Sequence, residues 1–401
     1  MSENIYLKNN ISVSHFNKDI YAKDKIKIKG IINNIFISLD EKKDSFHSLS
    51  KKFHFKHSQL AKFNKYKSVI LIGMGGSTLG AQALYSFFKG KIKKEFIFLD
   101  NLDQLKIEKI KQKINLKNYL FIIISKSGNT LETLINTNLL VDRINKKNTI
   151  IITEEKNNLL NTFAKNKKIL HITHKEYIGG RYSVLSEVGL IPAYFMGLKI
   201  KKFRKNLLNF FKSKQKSLLI DNIIKLTQIY RHGKISSIIL LNYAPEVNEF
   251  LYWCQQLTAE SLGKKGKGIL PVISQAPRDH HSLMQLYLDG PKDKLFYIFS
   301  VKVNKKMKIN KNVFGKTFSY IENKDLSKAK EAQKKALLHV LKSKNIPYQE
   351  FIINKKNEET LGELFSYFIM ETVLIGKLIG IDPFNQPSVE QVKILTKKYL
   401  S

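Results

Sequence analysis

The strongest constraint on what this chain can fold into is a pattern that occurs twice. Residues 68–80 read Ser-Val-Ile-Leu-Ile-Gly-Met-Gly-Gly-Ser-Thr-Leu-Gly, and residues 121–133 read Phe-Ile-Ile-Ile-Ser-Lys-Ser-Gly-Asn-Thr-Leu-Glu-Thr. Each opens with a short apolar, mostly β-branched run, the mark of a strand buried on both faces of a parallel sheet. Each then passes through glycine and hydroxyl residues into a helix-compatible stretch, at 81–88 and 131–144. Further apolar runs at 96–99 and 149–153 alternate with helical segments, so residues 67–198 predict a doubly wound α/β unit.

A turn of this kind suits an anion. Unpaired backbone N–H groups at a helix start point into it, the helix dipole favours negative charge there, and glycine lets a ligand approach closely. Ser77, Ser125, Ser127 and Thr130 add hydroxyl donors without adding charge. Two such loops in one parallel sheet can converge on one phosphate at the carboxyl ends of the strands. A phosphosugar is one candidate. Neither loop has the Gly-Lys-Ser/Thr of the Walker pattern. The dinucleotide pattern starts well with Gly73, Gly75 and a later Asp100, then has Thr78 where the third glycine belongs. Tight turns without any ligand remain the plain alternative for either loop alone.

With 401 residues, 43% of them apolar, the chain can bury two ordinary domains. A second α/β unit is expected from apolar runs at 237–241 and 295–301 and amphipathic helices at 247–262, 327–342 and 360–378. The expected division is an N-terminal helical extension over 1–65, a first α/β domain over 66–198, a second over 199–380 and a C-terminal helical segment over 381–401. A basic, mostly helical connection covers 201–216, and Ser388 and Gln391 have capping-box spacing for the last helix. No apolar run is long enough to span a bilayer and residues 1–5 show no signal pattern, so no membrane partner and a cytoplasmic location are expected. The single cysteine, Cys254, lies in an apolar helical stretch and supports neither a disulfide framework nor a cysteine zinc site. The formal charge of +36 ordinarily suggests a nucleic acid. Here only five of the 69 basic residues are arginine, the side chain suited to bidentate phosphate recognition, so no nucleic acid partner is expected.

Four further clusters carry residues able to do chemistry. They are Gly179-Gly180-Arg181-Tyr182-Ser183, the stretch from Gln255 to Lys264, the stretch from Arg278 to Leu286, and Gln386-Pro387-Ser388-Val389-Glu390-Gln391-Val392-Lys393. Gln256 and Glu260 share one helix face. Asp279, His280 and His281 offer no third cluster to complete a metal site, and no nucleophile elbow supports a serine triad. Taken singly, Glu260 reads as a solvated carboxylate, His281 as a satisfied polar residue and Lys393 as a surface lysine.

Taken together and in order, the motifs say more. The loop at 125–133 resembles the signature of sugar isomerase (SIS) domains. With the Gly-Gly-Ser turn, the Gly-Gly-Arg segment, the Glu-Ser-x-Gly-Lys helix end, the histidine-bearing stretch and the C-terminal Gln…Val-Glu-x-x-Lys, the chain closely resembles the glucose-6-phosphate isomerase family over about residues 67–398. The resemblance implies two SIS-type, flavodoxin-like α/β domains and an aldose–ketose isomerisation through an enediolate that needs no metal or cofactor. It implies that Glu260 is the base, that Arg181 balances the enediolate charge, and that His281, with Lys393 as its partner, assists ring opening. Gly76, Ser77, Ser125, Lys126, Ser127, Thr130, Gly180, Gln256 and Gln386 fall at substrate-binding positions. It also implies a homodimer whose histidine reaches the other subunit's site.

The sequence departs from the family in places. Ser127-Gly128-Asn129 stands where longer members carry Thr-Phe-Thr, His280 replaces a glutamine, and Ala276-Pro277-Arg278 replaces a Gly-Thr lead-in. Another SIS-type phosphosugar isomerase, or a sugar phosphate sensor without catalysis, are the rival readings.

Overall fold

The structure is a computed structural model that describes residues 4–11, 17–112, 118–212, 216–303 and 307–401. In chain order the strands are β1 (Ile5–Asn9), β2 (Ser68–Ile72), β3 (Glu95–Leu99), β4 (Tyr119–Ile124), β5 (Thr149–Thr153), β6 (Leu170–Thr173), β7 (Ser237–Asn242), β8 (Leu270–Gln275), β9 (Lys294–Val301) and β10 (Tyr348–Ile353). They form two five-stranded sheets, ordered β3-β2-β4-β5-β6 and β1-β10-β9-β7-β8. The first is wholly parallel. The second is parallel except for β1, which pairs antiparallel with β10.

The strands expected at 69–72, 96–99, 119–124, 149–153, 237–241 and 295–301 are all present. Their alternation explains the layers. Val69 and Leu71 face one core while Ile70 and Ile72 face another, and the same split divides Leu120 and Ile122 from Phe121 and Ile123. In the second sheet Ile238, Leu240 and Phe299 face the core shared with the first sheet, and Ile239, Leu241 and Phe296 face a separate one. Each sheet is thus covered on both sides, as parallel strands require. The fold is the doubly wound α/β architecture expected.

Between the sheets lie helices. The Leu79–Phe88 helix follows β2 and the Asn248–Leu262 helix follows β7, and these two equivalents pack against each other. The Glu358–Leu378 helix is buried on every face except at Glu358, Glu359 and Lys377, which marks it as a central core helix rather than an amphipathic surface one. Cys254 is buried and free within the Asn248–Leu262 helix. No helix among the described residues is long and apolar enough to cross a membrane.

Several elements differ from the sequence expectation. The N-terminal segment contributes a strand, β1, to the edge of the second sheet as well as a helix, Lys18–Ser38. That helix packs on the Lys216–His232 and Glu358–Leu378 helices, where Arg231 pairs with the buried Asp24 and donates to the Leu378 carbonyl at 2.7 Å. The helix expected at 131–144 ends at Leu139 and gives way to a short turn, Val141–Arg143. The expected capping box is not made: Pro387–Val389 form a 3₁₀ turn, and the last helix, Glu390–Leu400, starts without a side-chain cap.

The core shared by the two sheets encloses the Glu371 carboxyl. Glu371 accepts from Tyr367 Oη at 2.7 Å and from Tyr297 Oη at 3.2 Å, and lines a small cavity with Tyr230, Cys254 and Thr258. Burial pushes its pKa from 4.5 up to about 7, against the two phenols, which lower it. Between those values the unfolded chain is ionised while the folded chain still holds the proton, so stability falls as pH rises through this window and levels off above it. Glu371→Gln, which keeps an acceptor for both phenols, should match the wild type at pH 4.5 and exceed it at pH 8 by about 3 kcal/mol. Denaturant titration at the two pH values checks this; an equal effect at both would show that Glu371 ionises normally in the fold.

Candidate active site

The order β3-β2-β4-β5-β6 reverses direction between β2 and β4, the switch point at which open sheets of this topology bind ligands. The two glycine and hydroxyl loops leave the sheet side by side at that point. A side chain on Gly73 would lie 2.8 Å from the Ile124 carbonyl oxygen, so the first loop passes directly over the end of β4. In the second loop Ser125 is buried, its Oγ lies 2.8 Å from Thr130 Oγ1, and it accepts from the Gly128 N–H at 3.1 Å. Gly128 has φ of +68°, and a Cβ there would lie 1.8 Å from Asn158 Oδ1, so only glycine fits this turn. Ser127 is exposed and accepts from the Asn129 N–H at 3.3 Å. Lys126 donates to the Glu176 carbonyl at 2.7 Å and lies 3.7 Å from Glu154. Burial lowers the pKa of its ammonium, Glu154 working in the opposite sense.

The first loop also reaches the arginine segment. A Cβ on Gly76 would lie 2.3 Å from the Gly180 carbonyl, so the turn bearing Gly76 and Ser77 is pressed against the backbone that leads into Arg181. Gly75, at φ of +52°, faces Gln256, whose Nε2 would lie 2.7 Å from any side chain there. Two loops, the arginine segment and one face of the Asn248–Leu262 helix therefore meet.

Arg181 is the centre of this meeting. It lies in the 3₁₀ segment Gly180–Leu185 with its side chain only 2% exposed. Nε donates to Ser261 Oγ at 2.8 Å, and Nη1 donates to Glu260 Oε2 at 3.1 Å and to Gln386 Oε1. Nη2 donates to the carbonyls of Pro383 at 2.6 Å and Asn385 at 3.1 Å. Every guanidinium N–H has an acceptor. Glu260 occupies the last turn of its helix with its side chain 32% exposed, and Gln256 Nε2, one turn earlier, donates to its second oxygen at 2.9 Å. The carboxylate is thus held from both sides yet reachable from solvent. Lys264 donates to the Asp382 carbonyl at 2.6 Å; burial and the nearby Arg181 lower its pKa.

Arg181, Glu260, Gln256 and Gln386 are therefore joined directly by hydrogen bonds, with Gly76 and Gly180 in close backbone contact beside them. His281 and Lys393 are placed elsewhere in this single chain. His281 is exposed at the end of the 3₁₀ turn Arg278–His280. Lys393 pairs with Glu390 of its own exposed helix at 2.6 Å, not with His281. The neighbour His280 has a partner of its own, Tyr243 Oη at 2.7 Å. Burial, and then the charge of His281, lower the His280 pKa. Asp279 is occupied by the Gln275 N–H at 2.6 Å and by Ser274 Oγ at 2.9 Å. Among the described residues no group of three or more His, Cys, Asp or Glu is arranged to hold a metal ion.

Residue-by-residue reading assigned no role to Tyr182 and Ser261, which adjoin Arg181 and Glu260 in sequence, or to the carbonyls of Pro383 and Asn385. The two hydroxyls were within reach of that reading, because each sits beside a charged candidate. The carbonyls were not, since a backbone acceptor leaves no mark in a sequence.

Comparison with known proteins shows the family. A probable glucose-6-phosphate isomerase of Methanococcus maripaludis is 33% identical over 368 residues, covering 86% of this chain and 82% of that protein. The glucose-6-phosphate isomerase of Methanocaldococcus jannaschii is 32% identical over 410 residues, covering 98% and 96%. Among solved structures, a hypothetical protein from Thermus thermophilus superposes with a TM-score of 0.86 at 22% identity, over 99% of this chain and 100% of that one. A glucose-6-phosphate isomerase from Chlamydia trachomatis gives 0.78 at 16% identity, over 100% and 89%. The family model described as Phosphoglucose isomerase matches residues 1–401, and the chain belongs to the phosphoglucose isomerase family.

Proposed function

We propose that this family member interconverts glucose 6-phosphate and fructose 6-phosphate, with Glu260 as the base. The observation that carries the reading is the pairing of a solvent-reachable carboxylate with a fully buried arginine, beside two phosphate-type loops at a sheet switch point. Isomerisation of the open-chain aldose needs one base to take the proton from C2 and return it to C1. As the C2–H bond breaks, its electron pair forms the C1–C2 double bond and negative charge moves onto O1. Glu260 becomes neutral at that moment, and the Arg181 cation, 3.1 Å from its carboxylate, remains to offset the charge now on the sugar. A proton shift from O2 to O1 and reprotonation at C1 then yield the ketose. Gln256 and Gln386 orient the base, the arginine and the sugar hydroxyls. In this reading Gly76, Ser77, Ser125, Lys126, Ser127, Thr130 and Gly180 cradle the phosphate.

Ring opening falls to His281 with Lys393. Neither bonds to the Glu260 cluster within one chain, which supports a homodimer in which His281 completes the partner subunit's site. Exposed apolar residues on the last helix, Val392, Ile394 and Leu395, and Leu286 close to His281 are available to such an interface. The division at 65, 198 and 380 and a cytoplasmic location belong to the same proposal.

Two measurements test it. Fructose 6-phosphate should be converted to glucose 6-phosphate by the purified chain in the presence of a chelator, and Glu260→Gln should lower kcat by ~10²- to 10⁴-fold. Wild-type rates in that variant would remove Glu260 as the base, while an inactive wild type that still binds the sugar phosphate would favour the sensor reading. Diluting the protein until it is monomeric by sedimentation should abolish turnover, and a fully active monomer would overturn the shared site.

A further inference from the structure

We propose that the hydroxyls of Tyr182 and Ser261 are positioning residues for the reaction, locking the Arg181 guanidinium and the turn at 383–386 into one register. The inference rests on the role given to Arg181 above.

The two residues directly follow the two charged ones in sequence, and their side chains meet behind them. Tyr182 Oη and Ser261 Oγ are 2.8 Å apart, and both side chains are fully buried. Tyr182 Oη also lies 2.8 Å from the Pro383 carbonyl, and Ser261 Oγ lies 2.8 Å from Arg181 Nε. The proton direction follows from the ends of this chain. Arg181 Nε can only donate and the Pro383 carbonyl can only accept. One orientation therefore satisfies all three contacts: Nε–H to Ser261 Oγ, the serine hydrogen to Tyr182 Oη, and the phenol hydrogen to the Pro383 carbonyl. Burial pushes the Tyr182 pKa above its ordinary value, so the phenol keeps the hydrogen it donates.

The chain closes into a ring, because Arg181 Nη2 donates to the same Pro383 carbonyl at 2.6 Å. The Tyr182 ring, 5.2 Å from the guanidinium carbon, also packs on Phe384 at 5.3 Å between centroids. Neither hydroxyl is exposed, so both act through Arg181 and through the turn that delivers Gln386. A loss here leaves the substrate's own contacts in place and tilts the cation that the transition state uses.

The test is steady-state kinetics on the full chain with Tyr182→Phe, Ser261→Ala, Arg181→Gln and the Arg181→Gln/Tyr182→Phe double variant. Tyr182→Phe and Ser261→Ala should each lower kcat by about tenfold, with KM changed by less than about twofold. Arg181→Gln should lower kcat by ~10²-fold. In that background Tyr182→Phe should cost nothing further, which a merely structural role would not produce. Wild-type kcat in both hydroxyl variants, or the same loss with and without Arg181, overturns the proposal while leaving the Arg181 reading in place. Wild-type kcat in Arg181→Gln overturns both. If Tyr182→Phe does not fold, Ser261→Ala and its double variant with Arg181→Gln decide the question in the same way.

Discussion

The site depends on one physical demand, that a guanidinium removed from water must have every N–H satisfied. A buried charge left without a partner costs several kcal/mol, and Arg181 avoids this by drawing on acceptors from three places. Glu260 and Ser261 come from the end of one helix, the Pro383 and Asn385 carbonyls from the turn after another, and Gln386 from the segment entering the last helix. None of these is near Arg181 in sequence. The inward-folded arginine therefore joins Glu260, Gln386 and the C-terminal turn around one side chain.

The glycines on either side answer the same demand. For Arg181 to reach the helix end at Glu260, its backbone must pass against the turn after β2, where a Cβ on Gly76 would overlap the Gly180 carbonyl. That turn in turn rides over the end of β4, which sets the two glycine and hydroxyl loops side by side, the first of them against Gln256. The second sheet repeats the strand order of the first around β7 and β9 and places the helix bearing Glu260 after β7, the counterpart of β2. One unit thus supplies the glycine and hydroxyl loops and the other Glu260, and the paired helices after β2 and β7 hold them together.

What the sequence made legible follows from burial. The strands in the middle of each sheet are continuous apolar runs because both faces are covered, and they were readable at once. The missed strands are those whose surroundings break that pattern. β8 carries Pro271 and lies at a sheet edge, where a missing N–H is tolerated. β10 contains Glu350, buried because Lys334 meets it at 2.7 Å, so a charge interrupts what would otherwise read as a strand. β6 is half-buried at its edge, and β1 pairs with a strand more than 300 residues away in sequence, which no local pattern announces. In the site, side chains with charge were legible and backbone acceptors were not.

The arginines show why so few of them are enough in a chain so rich in lysine. Arg204 donates to the carbonyls of Ser48 and Leu185 with one nitrogen and to that of Ser50 with the other, tying the N-terminal segment to the stretch that carries Arg181. Arg231 grips Asp24 and the Leu378 carbonyl, tying the first helix to the Lys216–His232 and Glu358–Leu378 helices. Arg181 does the same for the C-terminal turn. In each case three or more acceptor atoms are gathered by one planar fork, which a single ammonium point charge matches poorly. The lysine excess is largely a surface property, whereas three of the five arginines join segments remote in sequence. Arg204 and Arg181 meet the two ends of the same short 3₁₀ segment, so the clamp at 204 fixes the backbone from which the clamp at 181 reaches Glu260.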